Sequence, residues 1–170
     1  MPGLQTYTTR FGSLDDYEKG EIDLIDDDPK RYAFSNIFEV AHHSRPYEKV
    51  AVGKNRQYVL EAIRAEGTSE WRTAPHDEFA LVMDGEVEIR LRKLGAADGG
   101  PTSDRGSNLL KGEPTGPAMG TVTARRGHMT LLPVGAAYQF HAGRPSVILL
   151  QTQDGPDTQY RWADIIQTAP

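Results

Sequence analysis

Few side chains in this chain can do chemistry, and most of them fall close together. There is no cysteine, which excludes disulfides and thiolate zinc sites and leaves the compartment open. Metal or acid–base work would therefore rest on histidines and carboxylates. The densest group is His76-Asp77-Glu78. Imidazole offers iron, manganese or a similar divalent ion a neutral nitrogen, and a carboxylate balances the charge. One reading is thus a metal held by His76, Glu78 and His141. His42 and His43 are adjacent, and neighbours on an extended chain face opposite ways, so they do not suggest a shared ion. His128 precedes an apolar stretch and reads as a structural histidine.

The elements that must position these residues read as strands. Val87, Ile89 and Leu91 alternate with Glu86, Glu88, Arg90 and Arg92, the period of a strand with one dry face. Phe79 to Met83 is an apolar run of strand length. Asp84-Gly85 between them suits a two-residue type I′ turn, so a β-hairpin is expected here. Further strands are expected at Ala33–Val40, Thr121–Arg125, Met129–Leu132, Tyr138–His141 and Val147–Thr152; Tyr47–Val52 alternates weakly, and Gln57–Ala65 by its residues suits either a helix or a strand. The continuous apolar run Val147-Ile148-Leu149-Leu150 suits a strand covered on both faces. Pro133-Val134-Gly135 and Gly143-Arg144-Pro145 read as turns.

Two spacings in this frame resemble the two motifs of the cupin superfamily of small β-barrels. The first motif is Gly, five residues, His-x-His, three or four residues, Glu, six residues, Gly. Gly67, Glu78 and Gly85 answer to it, but the two histidine positions fall on Arg72 and Ala74, or one earlier on Trp71 and Thr73. The second motif is Gly, five residues, Pro-x-Gly, two residues, His. Gly127, Pro133 and Gly135 fit it, and Tyr138 stands at the histidine. The resemblance implies an all-β fold, a cupin-type β-barrel (double-stranded β-helix, or jelly roll). It also implies vestigial metal positions at Arg72, Ala74, Glu78 and Tyr138. A buried Glu78 needs a partner, and Arg72 and the Tyr138 hydroxyl are the expected ones. The alternative is that Glu78 borders a watery cavity. His76 and His141 are then left as pocket or interface residues, and the chain is assigned neither a catalytic residue nor a metal.

The wider composition narrows the class. At 170 residues, one barrel domain over 32–160 is expected. It is preceded by an arm at 1–31 and followed by a tail at 161–170 carrying Trp162, Ile165 and Ile166. The arm is acidic from Glu21 to Asp28, and reads either as a solvated tail or as a strap whose Tyr7, Phe11, Leu14, Tyr17, Ile22 and Leu24 anchor on a partner. Residues 95–118 hold six glycines and three prolines without apolar periodicity, which suggests a mobile or partner-contacting loop. A net charge of -5 argues against nucleic acid as a partner. No apolar run approaches the ~18 residues of a membrane span, and the expected location is the cytoplasm.

A closer likeness lies in Phe34–Ala41, Pro46–Asn55, Ala65–Ser69, His76–Phe79, Met83–Gly85 and Gly135–Phe140. These stretches resemble the small (alpha) subunit of the two-component hydroquinone 1,2-dioxygenase family. The resemblance implies a metal-free cupin with a structural role beside a larger, iron-bearing cupin subunit, in an α2β2 hetero-oligomer. The implied reaction, on the partner with Fe(II) and dioxygen, opens hydroquinone to 4-hydroxymuconic semialdehyde. Two other readings stay open: a stand-alone cupin that binds a small molecule, and a single-chain metalloenzyme with the shifted site of His76, Glu78 and His141.

Overall fold

The computed structural model describes Leu14 and residues 36–161. The arm apart from Leu14, the first residues of the expected strand at Ala33–Val40, and the tail beyond Arg161 lie outside the described residues.

Where that first strand was expected, a short helix forms instead, α1 (Ile37–His42). Asn36 decides this, because its side-chain oxygen accepts from the backbone N–H of Phe38 and Glu39 at 3.0 and 3.3 Å. An asparagine at that cap position satisfies amides that a helix start would otherwise leave unpaired, and it outweighs the β-forming residues that follow. His42 and His43 are exposed at the helix end.

The strands follow in the order β1 (Val50–Asn55), β2 (Tyr58–Thr68), β3 (Arg72–Thr73), β4 (Glu78–Asp84) and β5 (Glu86–Lys93), then β6 (Asn108–Leu109), β7 (Ala118–Arg125), β8 (Met129–Leu132) and β9 (Ala136–Gln153). They form a single antiparallel sheet organised around β9. The second half of β9 pairs with β2 on one side and β4 on the other; its first half pairs with β3 and β5. β2–β3 and β4–β5 therefore flank β9 as two long ribbons. A further ribbon, β7–β8, lies outside β4–β5.

The expected hairpin at Asp84-Gly85 does not form. β4 and β5 pair with different parts of β9 and not with each other. The chain bends there without reversing. Gly85 has φ +77, and a Cβ on it would lie 2.1 Å from Ser146 Oγ, so its lack of a side chain permits the close approach of two ribbons at one corner. The expected turn at Gly143-Arg144-Pro145 is likewise a bulge. The register opposite β2 jumps from Ala65–Ser146 to Gly67–Ala142, and β9 continues through it. These bends lie at one level and curl the sheet into a barrel. Pro133-Val134-Gly135 is a turn as expected, closed by Ala136 N donating to Pro133 O at 3.1 Å.

Inside the barrel, Ile63, Ala80, Val82, Val87, Ile89, Leu132, Phe140, Ile148 and Leu150 form the main core. The outer side of β9 is also covered where Val147 meets Leu14 and Ala41. Leu149 there packs beside Val40 and Ala62. The apolar run at 147–150 is thus packed on both faces, as its composition required.

Candidate functional site

Alternation along each strand decides which side chains enter the barrel. On β9, Tyr138, Phe140 and Ala142 face inward, and so do Ile148 and Leu150 beyond the bulge; Thr152 continues that face. On β4, Glu78 shares the inner face with Ala80 and Val82. Glu78 and Tyr138 are both buried, so the two motif positions converge inside the barrel. Arg72 is the cross-strand partner of Tyr138. Ala74 is buried and brings no donor.

Contrary to expectation, Arg72 is not the partner of Glu78, which bonds Thr152, while the Tyr138 hydroxyl lies beside it. Thr152 Oγ1 donates to Glu78 Oε1 at 2.5 Å. Arg72 turns to the barrel mouth, where its Nη1 lies 2.7 Å from Asp157 Oδ2. The Tyr138 hydroxyl lies near enough to Glu78 and Ser107 to feel both. It nevertheless forms no well-aligned hydrogen bond, and it and Glu78 Oε2 are buried without a partner. Burial above all, and then the charge of Glu78, hold the Tyr138 hydroxyl well above its ordinary range of titration, so it stays a neutral phenol. The Tyr138 and Phe140 rings pack with centroids 5.3 Å apart.

A second polar group fills the rest of the interior, and neither motif pointed to it. Lys49 Nζ sits 2.9 Å from Glu61 Oε2, with both side chains buried. Lys49 also donates to Ser107 Oγ, and Thr158 Oγ1 donates to Glu61 Oε1 at 2.7 Å. Glu61 was legible in principle. It shares the inner face of β2 with Val59, Ile63 and Ala65, while the alternation Tyr58, Leu60, Ala62 marks the outer one. Ser107 comes from a segment with no strand period, and Lys49 from Tyr47–Val52, whose alternation is too weak to assign its face.

Ser107 belongs to the segment expected to be mobile or partner-contacting. Residues 95–118 are instead pinned across the barrel mouth. Asp98 accepts from Gly95 N at 2.6 Å and Thr115 N at 2.9 Å. Asn108 accepts from Ser103 N at 2.7 Å, and β6 pairs with β3. His76 has its role here: its Nε2 accepts from Gly106 N at 3.2 Å. His141 faces outward and bonds Thr68 across the sheet at 2.8 Å. His128 Nδ1 accepts from Arg125 N at 3.0 Å and closes the β7–β8 bend, the structural role expected of it.

His76, Glu78 and His141 therefore do not meet. Among the described residues, no group of three or more His, Asp or Glu side chains could hold an ion. The residues at the four motif positions do not fit a transition metal: a guanidinium, a methyl, a neutral phenol, and one carboxylate already bonded to Thr152. A small cavity beside Lys49, Arg72, Tyr47 and Tyr138 is about 10 Å³, room for one water, and a wider one of about 320 Å³ opens at the mouth between Arg45, Tyr47, Lys49, Arg72 and Asp157.

No family model matches the chain, and no curated protein does. Solved structures do. A chain of hydroquinone 1,2-dioxygenase PnpCD, in complex with Cd2+ and 4-hydroxybenzonitrile, is 49% identical, with a TM-score of 0.88 over 98% of this chain and 100% of that one. A chain of hydroquinone 1,2-dioxygenase from Sphingomonas sp. TTNP3, with 4-hydroxybenzoate bound, is 50% identical, with a TM-score of 0.90 over 97% and 100%. The chain belongs to the hydroquinone 1,2-dioxygenase family. It matches the smaller of two kinds of chain in these enzymes. A longer PnpCD chain, from the complex with Fe3+, is only 11% identical but superposes with a TM-score of 0.60 over 85% of this chain and 40% of its own length. The longer hydroquinone 1,2-dioxygenase chain thus contains a barrel of the same fold, and the enzyme pairs a small cupin with a larger one.

Proposed function

We propose that this chain is the metal-free small subunit of an Fe(II)-dependent hydroquinone 1,2-dioxygenase. It acts as a structural and assembly partner of a larger cupin that holds the iron and opens the ring to 4-hydroxymuconic semialdehyde. The observation that carries this is a pairing of two facts. The chain matches the small chain of that enzyme end to end at about half identity, while its own motif positions carry Arg72, Ala74, Glu78 and Tyr138, a set unfit for iron. A barrel without a Lewis acid cannot activate dioxygen, so chemistry belongs to the partner. The assembly is an α2β2 hetero-oligomer in the cytoplasm. The barrel domain spans 32–160, between an arm at 1–31 and a tail at 161–170. Among the described residues, no helix is long and apolar enough to cross a membrane.

The test is co-expression with the longer cupin chain of the same organism, followed by metal analysis and oxygen uptake on hydroquinone. The expected result is a complex with iron in proportion to the longer chain and turnover only when both are present. Robust turnover by either chain alone would overturn the proposal. So would about one equivalent of iron on the isolated small chain that Glu78→Gln removes.

A further inference from the structure

We propose that the free edge formed by β7 and β8 docks the longer cupin chain by strand addition. This rests on the reading above and names the surface that reading leaves open. The bent sheet has two edges, and they are finished differently. At the edge formed by β1, the chain itself supplies cover: Gln159 bridges to Val50, accepts from Ala51 N and donates to Lys49 O. The β6 end of that edge is only two residues long. Lys54 adds a charge at the end of β1, where it pairs with Asp154. These are the usual protections of a sheet edge.

The β7–β8 edge is protected only at the ends of β7, by Arg125 paired with Glu86 and by a register irregularity opposite Leu91 and Arg92. Among the described residues, β7 pairs only with β5 and β8 only with β4. β7 is eight residues long, and all but Ala124 are exposed. From Ala118 to Ala124 it carries no ionisable side chain, no proline and a single glycine. Met119 is 45% exposed and Val122 37%. β8 continues the surface with Met129 at 63% and Leu131 at 46%, and Phe79, the cross-strand partner of Leu131, adds to it. A long, bare, uncharged strand edge beside an apolar row is a template for another strand.

The occupant this edge fits is uncharged and β-structured. The longer chain supplies that: it contains a barrel of this same fold. A barrel of that fold has sheet edges of its own, and two such barrels can meet edge to edge in a pseudo-symmetric way. The alternate residues of β7 whose N–H and C=O face away from β5 then gain main-chain bonds, while Met129 and Leu131 lose water from their side chains.

The experiment uses the co-expressed complex with Met119→Lys and Thr121→Lys in β7. Both positions are exposed, and edge lysines are tolerated in folded sheets; circular dichroism of each isolated variant checks that the barrel is intact. Each variant is expected to weaken association with the longer chain by at least ~10-fold, whereas Tyr58→Lys, exposed at the β1–β2 turn away from β7, leaves it unchanged. Amide exchange on the unaltered proteins should show 118–124 slowing when the longer chain is added, a readout that needs no variant. Undiminished binding by both lysine variants, equal loss with Tyr58→Lys, or unprotected β7 amides in the complex would each overturn the inference while leaving the proposed function intact. If the isolated chain already self-associates through β7, the occupant is a second copy and the inference is again overturned. Failure of the unaltered chain to bind the longer one at all removes both readings.

Discussion

The two polar groups inside the barrel are built to different standards. Around Lys49 and Glu61, a cation meets an anion at 2.9 Å, and Thr158 and Ser107 take up further bonding capacity. Around Glu78 and Tyr138, one carboxylate oxygen has Thr152, and the other oxygen and the phenol have nothing. The first group balances its charges, although Glu61 Oε2 meets Lys49 as an ion pair without a well-aligned hydrogen bond, and breaking it leaves a bare charge. The second lies at Glu78 and Tyr138, the two motif positions that meet inside the barrel, and its buried polar atoms are left partly unmatched.

That contrast can be broken or sharpened by four measurements. The largest effect is expected from Lys49→Met, which leaves Glu61 buried without its cation. Removing one partner of a buried pair costs about 3–5 kcal/mol, read as a lower denaturant midpoint, and a Lys49→Met/Glu61→Leu double variant should recover much of it. Equal midpoints for the single variant and the parent chain would show the pair to be dispensable.

Next comes alkaline pH. Burial raises the titration of Tyr47 from 10.0 to about 12, and burial with the Glu78 charge raises Tyr138 well above 10.0. Unfolded tyrosines lose their protons first as pH rises, so the folded chain then holds more protons than the unfolded one. The stability these hydroxyls contribute is whole below about pH 10 and is lost as pH climbs through the folded values. Phenolate absorbance should show the two groups lagging behind the other tyrosines until the chain unfolds. A Tyr138→Phe chain with an unchanged late phase would contradict the assignment.

Smaller still is Glu78→Gln. The amide oxygen keeps the Thr152 bond and removes a buried, half-satisfied charge, so stability should hold or rise by about 1 kcal/mol at neutral pH. A loss of several kcal/mol would mean that Glu78 is as firmly paired as Glu61. Tyr138→Phe should change least, by under ~1 kcal/mol, because its hydroxyl makes no well-formed hydrogen bond to lose. A loss well above that, in thermal melts of both chains, would reveal a partner for the phenol.

Local rules carried much of the fold. Alternation placed β5 and the inner face of β4, and the unbroken apolar run at 147–150 required cover on both sides. The Gly-Pro-Gly spacing at 127–135 marked the turn that the structure forms at Pro133-Val134-Gly135. His141 stands three residues after Tyr138, an odd offset that gives it the opposite face of the same strand.

Other features depended on contacts distant in sequence. Asp84-Gly85 and Gly143-Arg144-Pro145 have turn composition, and whether the chain reverses or only bends was settled by β9, long enough to pair both halves of each ribbon. Asn36 made a helix of a strand-like segment by capping two amides. The long glycine-rich excursion lacks any period, yet Asp98, Asn108 and the imidazole of His76 fasten it over the barrel mouth. Glu78 found Thr152, 74 residues away, and Lys49 found Glu61 and Ser107. A sequence reports which face a residue takes within its own strand; which buried charge meets which partner follows only when the barrel closes, because that choice is made by desolvation and distance in three dimensions.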